Sequence, residues 1–510
     1  MFERDDGLWV DAGIELSAKQ LVTVRTEEVI TKGKKKTVKY GVEERELDVD
    51  EEAVVRAPRI KKEVVETRVR TEEARRVPGT QGDTLKVVQN LPGVARSAFG
   101  SGTLVVWGAA PQDTRVNVDG VEVPALYHVG GMRSTVNADL VKSINLAPGS
   151  YGAEYGRGLG GLVQVDLREL QTEGIHGYVA ADVVDASAML SVAISPRLQV
   201  AVAGRYGYLD RTLKAAVSQD VGDYFPIPRY DDYQARVLVK LRKDETLSAT
   251  FLASDDYLTR TIPSVDPLKV RTQDTTLKYR RVITRYMRLL DDGSSLVLAP
   301  SFGWDESSSD SRFGPIPTNL DVTGWQYALR ASYRRKLSSS VTLSLGLDAQ
   351  GRNSSLRRFG SVNQPSREGD VVVFGQPPGG DVNLDAWKIR QLSTAAYAFF
   401  EISLGKLTLT PGLRFEPTVI DGNLRLPETV GVPNVGYTRL STPANPLPGH
   451  NSAMRILRHL PNPRFSADYR ATPQLSLTMG GGVYGQAPQP EDMSPVFGNP
   501  SIDMSTALHV

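Results

Sequence analysis

The feature that most constrains this chain is a two-residue alternation of apolar and polar side chains that recurs from His176 onward. In residues 198–208, alternate positions hold Leu, Val, Val, Gly, Tyr and Tyr, and the positions between them hold Gln, Ala, Ala, Arg and Gly. Residues 326–334, 341–348 and 407–416 alternate in a similar way. Successive side chains of a β-strand point to opposite faces, so this part of the chain is predicted to form strands with one apolar and one polar face.

The connections between these strands are alternately short and long. Tight turns are predicted near Pro196, Asp244, Asp292, Ser339, Gly405 and Thr472. Long connections are predicted at residues 210–232, 258–275, 306–323, 350–390 and 418–462. Loops of that length are unusual inside a compact soluble domain. The pattern gives about twelve strands in six hairpins, with short turns at one rim and long loops at the other, which is typical of an outer-membrane β-barrel.

A soluble β-sandwich or β-propeller also alternates, so alternation alone leaves these classes open. Three observations favour the membrane barrel. The strands approach the length that spans a bilayer, and the faces opposite the apolar ones carry Arg, Lys, Thr, Ser and Gln. Aromatic residues fall at strand ends, as in an aromatic girdle: Tyr206, Tyr208, Tyr257, Tyr327, Tyr333, Tyr397 and Phe399. No apolar run of about 18 residues is present, so no transmembrane helix is predicted.

Composition excludes several other functions. Lys and Arg number 60 and Asp and Glu 59, so the chain lacks the basic character of a nucleic-acid-binding protein. It contains no Cys, which excludes thiolate catalysis, disulfides and zinc–thiolate sites. The five His are scattered, so neither a metal site nor a cofactor is predicted. The carboxylate pair Asp255-Asp256 falls on adjacent strand positions, which face opposite ways, and no catalytic set is recognised, so the chain is predicted not to be an enzyme.

Residues 1–79 are charged and short of large apolar side chains, so they are predicted to form a linker or a small exposed fold. The alternation around Leu21-Val22 is compatible with strands of a small β-domain. The first six residues lack the basic start and apolar run of a signal peptide. We therefore expect that the true beginning of the protein is missing from this chain.

Residues 80–172 are predicted to form a small α+β domain. A helical segment over residues 83–91 begins at Asp83, a plausible N-cap, and ends at Pro92-Gly93. Short strands are predicted at residues 104–107, 115–118 and 121–123, and Asp119-Gly120 is a hairpin signal. A second helix-then-strand unit follows at residues 137–146, and a closing strand is predicted at residues 162–167 after a glycine-rich stretch.

Five blocks in residues 82–163 resemble, in order and spacing, the plug domain of TonB-dependent outer-membrane receptors. They are residues 82–94, 104–108, 116–124, 139–149 and 155–163, and the residues that carry the match are Leu91, Pro92, Gly93, Gly108, Asp119, Gly120, Gly149, Tyr155, Gly156, Gly160 and Gly161. The glycines at 156–161 allow backbone conformations and close approaches that a side chain would block. A phosphate-binding loop is the competing interpretation of this stretch, but it lacks the characteristic lysine and a following helix.

The resemblance implies a mainly β protein in which a small α+β plug domain precedes an antiparallel transmembrane β-barrel. It implies three regions: a periplasmic extension and linker at 1–79, a plug at 80–172 and a partial barrel at 173–510. Plugged transporters have about 22 strands, so the barrel of about twelve is expected to be incomplete. The implied function is the energy-coupled uptake of a scarce nutrient, such as an iron siderophore, at the outer membrane. The implied partners are a TonB-type energy-transducing protein, membrane lipid and a small-molecule ligand, which could be a metal chelate.

The resemblance also suggests particular residues. The segment that pairs with the TonB-type partner is expected at Val54, Val55, Arg56 and Ala57, with Val64-Val65 as a rival. Ligand is expected at the plug apex, where Arg96, Tyr127, His128 and Arg133 are candidate contacts. The alternative is that these polar side chains only face solvent or the barrel wall. A metal-ligand role for His128 is disfavoured, because no partner lies nearby in the sequence.

Three alternatives to transport remain open from the sequence. One is an outer-membrane signalling receptor of the same fold that does not transport. The second is an adhesin of that fold. The third is a truncated, non-functional receptor fragment, since an open half barrel would expose unpaired sheet edges to lipid.

Overall fold

The computed structural model describes four strands near the start of the chain and then residues 66–80, 82–96, 102–216, 227–262, 264–266, 270–361, 382–422, 453–457, 461–472, 474–494, 496–498 and 502–510. The chain divides into two compact units, Met1–Val55 and Arg56–Val510. The first unit contains β1 (Phe2–Glu3) paired with β2 (Trp9–Val10), and β3 (Gln20–Ile30) paired with β4 (Lys36–Glu46), both antiparallel.

The second unit begins with a small domain, residues 67–167. Its elements are β5 (Thr67–Arg70), α1 (Thr71–Ala74), a 3₁₀ segment (Thr84–Asn90), β6 (Val94–Arg96), β7 (Leu104–Val106), 3₁₀ (Pro111–Asp113), β8 (Arg115–Val118), β9 (Val121–Glu122), 3₁₀ (Ala138–Leu140), β10 (Val141–Ala147) and β11 (Leu162–Leu167). Five of the strands form a sheet of order β5-β10-β11-β8-β9, in which β11 and β8 are parallel and the other pairs antiparallel. Strands β6 and β7 form a separate pair.

The small domain follows the sequence prediction with two corrections. Asp83 caps the first helical segment as predicted, because its side chain accepts a hydrogen bond from the Leu85 N–H, but the segment is a 3₁₀ helix rather than an α-helix. The domain also starts before residue 80. Strand β5 pairs with β10 through Ser143↔Arg70 to Leu146↔Thr67, and Ala74 packs in the domain core. The charge of residues 66–76 concealed this edge strand.

The large sheet follows, and its neighbouring strands are antiparallel throughout. Its elements are β12 (Ile175–Ala181), β13 (Asp185–Ser195), β14 (Leu198–Gly207), α2 (Leu209–Ala216), β15 (Ile227–Arg242), β16 (Glu245–Ile262), β17 (Arg271–Leu289), β18 (Ser295–Phe313), β19 (Ile316–Lys336), β20 (Val341–Ser361), β21 (Val382–Leu404), β22 (Leu407–Phe415), β23 (Thr418–Gly422), β24 (Ala453–Leu457), β25 (Asn462–Arg470), β26 (Ser476–Gln486), 3₁₀ (Pro490–Met493) and β27 (Ser505–His509). The main path runs β12 to β22 and then β25, β26 and β27, while β23 pairs with β21 and β24.

All six predicted tight turns connect neighbouring strands of this sheet, as expected. Strands β12 and β27 extend it at either end of the path beyond the twelve predicted. Some predicted loops are wrong. Residues 306–323 form a continuous ladder in which β18 and β19 pair up to Phe313↔Ile316. The break between β22 and β23 falls at Glu416-Pro417, where proline has no N–H to offer to a neighbouring strand.

The two faces of the large sheet have the polarity predicted for a membrane barrel. Large apolar side chains are exposed on the outer face, such as Val202 at 46% and Leu347 at 64%. Polar side chains are buried on the inner face, among them Gln199, Gln234, Arg281, Gln326 and Asp348. A soluble sandwich would show the opposite arrangement, with apolar side chains buried, so the exposed apolar face is assigned to lipid.

Two members of the predicted aromatic girdle are on the wrong face. Tyr397 and Phe399 are buried on the inner side, where they cluster with Ala153 of the small domain. Tyr397 lies directly opposite Gly346 across the ladder, and its ring occupies the space that a Cβ on Gly346 would take. Residues directly opposite each other share a face, and Gly346 belongs to the polar set.

The large sheet curves around the small domain, because strands at both ends of its path contact that domain. Asn137 donates a hydrogen bond to the Tyr178 hydroxyl on β12, and the Ser150 N–H donates to His509 Nδ1 on β27. Among the described helices, none has both the length and the hydropathy needed to cross a membrane.

Candidate functional site: the interface between the small domain and the large sheet

His128 of the small domain lies between two aspartates of the large sheet. Its Nδ1 is 2.9 Å from Asp256 Oδ1 and its Nε2 is 3.0 Å from Asp232 Oδ2, and the ring stacks on Tyr230 at 4.4 Å. Burial alone would lower the pKa of His128, but the carboxylates of Asp256 and Asp232 outweigh it and raise the pKa to about 9. His128 is therefore a buried imidazolium that donates to both carboxylates.

Arg133 forms a second ionic contact with the sheet, at the start of β13 and the turn that precedes it. Its Nε donates to Asp185 Oδ2 at 2.7 Å and its Nη2 to Asp182 Oδ2 at 2.5 Å. The Tyr230 hydroxyl donates to the same Asp185 carboxylate at 2.7 Å. Tyr230 therefore touches both ionic contacts, through its ring at His128 and through its hydroxyl at Asp185.

Most of the predicted ligand contacts thus lie against the large sheet, which forms the wall of the barrel. Tyr127 and His128 are fully buried, Arg133 is nearly so, and the Tyr127 hydroxyl donates to the Leu85 carbonyl inside the small domain. This placement favours the alternative, contact with the barrel wall, in this conformation. Arg96 lies in β6, and its side chain is outside the described part of the structure.

The predicted hairpin at Asp119-Gly120 also reaches the wall. Both residues have positive φ, 48° and 85°, which is the conformation that an Asp-Gly hairpin turn adopts. The Asp119 carboxylate accepts from Arg236 Nη1 at 2.9 Å and from the Leu167 N–H at 2.9 Å. The Gly120 carbonyl accepts from Arg330 Nη1 at 2.8 Å. The turn thus docks the tip of the small sheet onto two strands of the wall.

A four-residue charge cluster joins the glycine-rich segment to the wall. Arg157 donates to Asp348 Oδ1 at 2.6 Å and to Glu416 Oε1 at 2.8 Å, while Arg414 donates to both of the same carboxylates at 2.8–2.9 Å. All four side chains are largely buried. Each buried charge is therefore compensated by two of the opposite sign, which offsets the cost of removing it from water.

Three glycines of the predicted motif permit close approaches. A Cβ on Gly156 would overlap Arg414 and Glu416 of the charge cluster. A Cβ on Gly160 would lie 2.7 Å from Ala109 Cβ, and one on Gly161 would lie 2.7 Å from Val106 Cγ1. Alanine at any of these positions would be too close to its neighbours, so these three glycines are explained by space alone.

Polar clefts lie beside the charge cluster. One separates Arg115, Glu122 and Arg157 of the small domain from the wall, including Gln350 and Arg352. A second shares four of those residues and extends toward Gln326 and Arg330. Burial raises the pKa of Glu122, but Arg115 and Arg352 outweigh it and lower the pKa to about 2.

The wall residues of this site had no motif that sequence reasoning could recognise. They do share one signal, since Asp348 and Glu416 fall on the polar set of an alternating strand. Asp255 and Asp256 face opposite ways as predicted, with Asp255 toward Arg280 and Asp256 toward His128. An acidic residue on the inner face of a strand was therefore a readable sign of a contact with the small domain.

Two further predictions concern the partner-binding segment and a metal site. Val54, Val55, Arg56 and Ala57 lie outside the described residues. Within the described part of the chain, no group of three or more His, Asp or Glu side chains is arranged to hold a metal ion.

Two family models match the chain. The model described as "TonB dependent receptor-like, beta-barrel" matches residues 219–509, and the "TonB-dependent Receptor Plug Domain" matches residues 63–162. The plug match begins before residue 80, in agreement with the position of β5. A comparison with curated protein sequences finds no match.

Several solved structures share the fold at low identity. The alcaligin outer-membrane receptor of Bordetella pertussis is 14% identical with a TM-score of 0.54, and the unliganded ferric citrate transporter is 15% identical with a TM-score of 0.57. The chain is covered to 83% and 84%, but it spans only 63% and 64% of those two proteins, less than two thirds of their length. A copper transporter is 12% identical with a TM-score of 0.61, and the match covers 88% of this chain and 68% of that protein.

Members of the matched family are outer-membrane β-barrel proteins that bind small-molecule ligands and interact with TonB, and they are not enzymes. The barrel model covers more than half of the chain, the plug model covers most of the small domain, and the structure has a plug-like domain inside a sheet that is apolar outside and polar inside. The chain therefore belongs to the TonB-dependent receptors.

Proposed function

We propose that this chain is the plug-bearing part of an outer-membrane transporter that takes up a scarce nutrient, such as an iron siderophore. The observation that carries the proposal is the seating of the small domain against the polar inner face of the sheet through buried ion pairs. Such a domain blocks the lumen until those pairs separate. The similar structures are those of an alcaligin receptor, a ferric citrate transporter and a copper transporter, which supports a metal or a metal chelate as the cargo.

The ligand is proposed to bind between the extracellular connections and the apex of the small domain. Arg96 stays a candidate contact in this proposal. Tyr127, His128 and Arg133 would reach ligand only after the small domain moves, because their side chains are now buried. Movement of the small domain would expose these side chains, and ligand would then bind to them. Ligand binding would therefore favour the moved state of the domain.

Energy is proposed to arrive from a TonB-type partner through the segment at residues 54–57. An extended segment of this kind can add a strand to the partner's sheet, where backbone hydrogen bonds supply affinity. Tension on the segment would act on the small domain through β5, the first strand of its sheet. The second candidate segment is Val64-Val65, which comes shortly before β5 in the sequence.

The proposal is tested by proline substitution in the full-length gene product. Val54→Pro removes a backbone N–H from the pairing strand and is expected to lower the uptake of radioactive ferric citrate, or of a ferric siderophore that supports growth, by about tenfold or more. Val64→Pro is the matched control, expected to stay within about twofold of the parent. A reversed result moves the partner-binding segment to Val64-Val65. Ligand binding without uptake in the parent protein would contradict transport and favour a signalling receptor.

A further inference from the structure

The small domain is fastened to the wall in two different ways. On the side of strands β14–β17 its own apolar core continues into the wall, where five buried wall residues join the same cluster: Ala201, Leu238, Leu252, Tyr279 and Ile283. Hydrogen bonds reinforce this side, with the Tyr279 hydroxyl donating to Thr135 Oγ1 at 2.8 Å and Gln234 donating to the Thr135 carbonyl at 3.2 Å. The His128 and Arg133 ion pairs lie on this side or at its edge.

On the side of strands β19–β22 the contacts are mainly polar. Arg157 meets Asp348 and Glu416, and Arg330 donates to the carbonyls of Gly120 and Glu154 at 2.8 and 3.0 Å. The apolar contact on this side is a small cluster of Ala153, Tyr397 and Phe399, separate from the main core. The two polar clefts open along the same side and share Arg115, Glu122, Arg157 and Gln350.

These two attachments respond differently to separation. Apolar surfaces that part must be hydrated at a cost that grows with their area. Hydrogen bonds and ion pairs can instead be exchanged for bonds to water, and water has room to enter beside the charge cluster. The polar side therefore opens first when the small domain is strained, while the apolar side stays closed.

We propose that cargo crosses the membrane along the polar seam between the small domain and strands β19–β22, while the domain remains attached to β14–β17. This inference rests on the proposed function and adds to it the side of passage and the class of cargo. The seam is lined by guanidinium, amide and hydroxyl groups of Arg115, Gln391 and Thr418 and by the carboxylate of Glu122. It suits a hydrophilic solute that forms many hydrogen bonds rather than an apolar one.

Cysteine pairs can test this asymmetry, because the chain has no cysteine of its own. A disulfide between Ala153→Cys and Gly412→Cys would cross-link the small domain to the wall on the polar side, since a Cβ on Gly412 would lie 3.1 Å from Ala153 Cβ. A disulfide between Gly130→Cys and Pro228→Cys would cross-link the small domain to the wall on the side of β14–β17, since a Cβ on Gly130 would lie 3.3 Å from Pro228 Cβ. Both separations are within a few tenths of an ångström of the range that disulfides adopt, about 3.5–4.5 Å.

The measurement is the conductance of the full-length protein in planar lipid bilayers, with KCl as the probe and with urea at a concentration that loosens the small domain but leaves the wall folded. Each variant is compared oxidised and reduced, which cancels any strain due to the substitutions. Oxidation of the A153C/G412C variant is expected to lower the urea-induced conductance about tenfold, and oxidation of G130C/P228C to leave it within about twofold.

The inference is overturned if G130C/P228C blocks conductance as strongly as A153C/G412C, or if the latter has no effect. Gln350→Trp fills the cleft without a cross-link and is expected to lower conductance too, whereas Gln273→Trp, on an exposed part of β17, is not. The assay uses neither a TonB-type partner nor a nutrient. A parent protein that binds ligand without taking it up would therefore contradict the proposed transport function without altering this result.

Discussion

His128 lies between two carboxylates, and its protonation state decides whether that contact attracts or repels. When His128 is an imidazolium, both ring nitrogens donate and both Asp232 and Asp256 are satisfied. When it is neutral, one nitrogen carries a lone pair that faces a carboxylate. The other groups that face it are the ring of Tyr230, the hydroxyl of Ser254 and, through Asp232 at 3.6 Å, the guanidinium of Arg205.

This contact predicts a loss of stability in alkaline solution. The pKa of His128 is raised from 6.5 to about 9 on folding, so its contribution is fully present below about pH 6.5 and is lost as the pH rises through about 9. The contribution is at most about 3 kcal/mol. We expect the Tm of the full-length protein in detergent to fall over that range, and His128→Gln to abolish most of the fall.

His176→Gln is the matched control, because His176 is exposed on β12 and its imidazole lies 2.9 Å from the carbonyl oxygen of Glu173, away from any carboxylate partner of His128. The control should keep the alkaline fall in Tm. A His128→Gln protein whose Tm falls as steeply as that of the parent would show that His128 is not the group responsible.

For single residues, sequence reasoning found positions more readily than partners. The turn at Asp119-Gly120 could be predicted because its backbone conformation demands those residue types. The pairing of His128 with Asp232 and Asp256 could not, because each aspartate is more than a hundred positions away from His128 along the chain. Such contacts depend on how the sheet curves around the small domain. The local alternation of residues in the sequence does not determine that curvature.

At the scale of elements, the start of the small domain predicts how the chain can be shortened. Strand β5 and α1 contribute the hydrogen bond from Thr71 Oγ1 to the Val141 carbonyl at 2.6 Å and the packing of Val69 and Ala74 in the core. A protein that begins at residue 80 is expected to lose about 2–5 kcal/mol of small-domain stability, whereas one that begins at residue 66 keeps it. Limited proteolysis followed by urea titration measures the difference.

The two truncations differ only in β5, α1 and the turn that follows them, so each is the other's control. Equal protease resistance of the two proteins would show that β5 adds nothing to the domain. Faster cleavage of the protein that begins at residue 80 would place the working boundary of the domain before Thr67.

Sequence reasoning succeeded for elements wherever a lipid-facing side imposes alternation. The strands beside Ser339 and Thr472 were found because one face of each is apolar. It failed for residues 306–312, Glu-Ser-Ser-Ser-Asp-Ser-Arg, which continue β18 with no apolar face. Near the outer end of a hairpin neither face needs to meet lipid, so a polar strand and a polar loop have similar sequences. The edge strand β5 was missed because its charged residues resemble those of a linker.

At the scale of the whole molecule, the exposed apolar face predicts how the protein tolerates charge. Leu347 is 64% exposed on β20, which begins at Val341. Leu347→Arg is expected to destabilise the protein in a bilayer by about 2–4 kcal/mol, since an arginine on the lipid face must leave water. Folding of the full-length protein into lipid vesicles, followed by gel mobility with and without heating, reports this loss.

Leu347→Phe keeps the face apolar and is expected to fold like the parent, which makes it the matched control. If Leu347→Arg folded into vesicles as completely as Leu347→Phe, that part of the face would not meet lipid. Normal folding of both variants would also weaken the assignment of the neighbouring exposed side chains to the bilayer.

The hairpin of β18 and β19 has a consequence for how such a protein changes over generations. Its ladder is continuous up to the turn between the two strands, from Glu306↔Thr323 to the last pair, Phe313↔Ile316. Main-chain hydrogen bonds hold the two strands together there. Main-chain bonds do not depend on which side chains are attached. The tip of the hairpin can therefore accumulate substitutions, while the register of the ribbon beneath it is inherited unchanged.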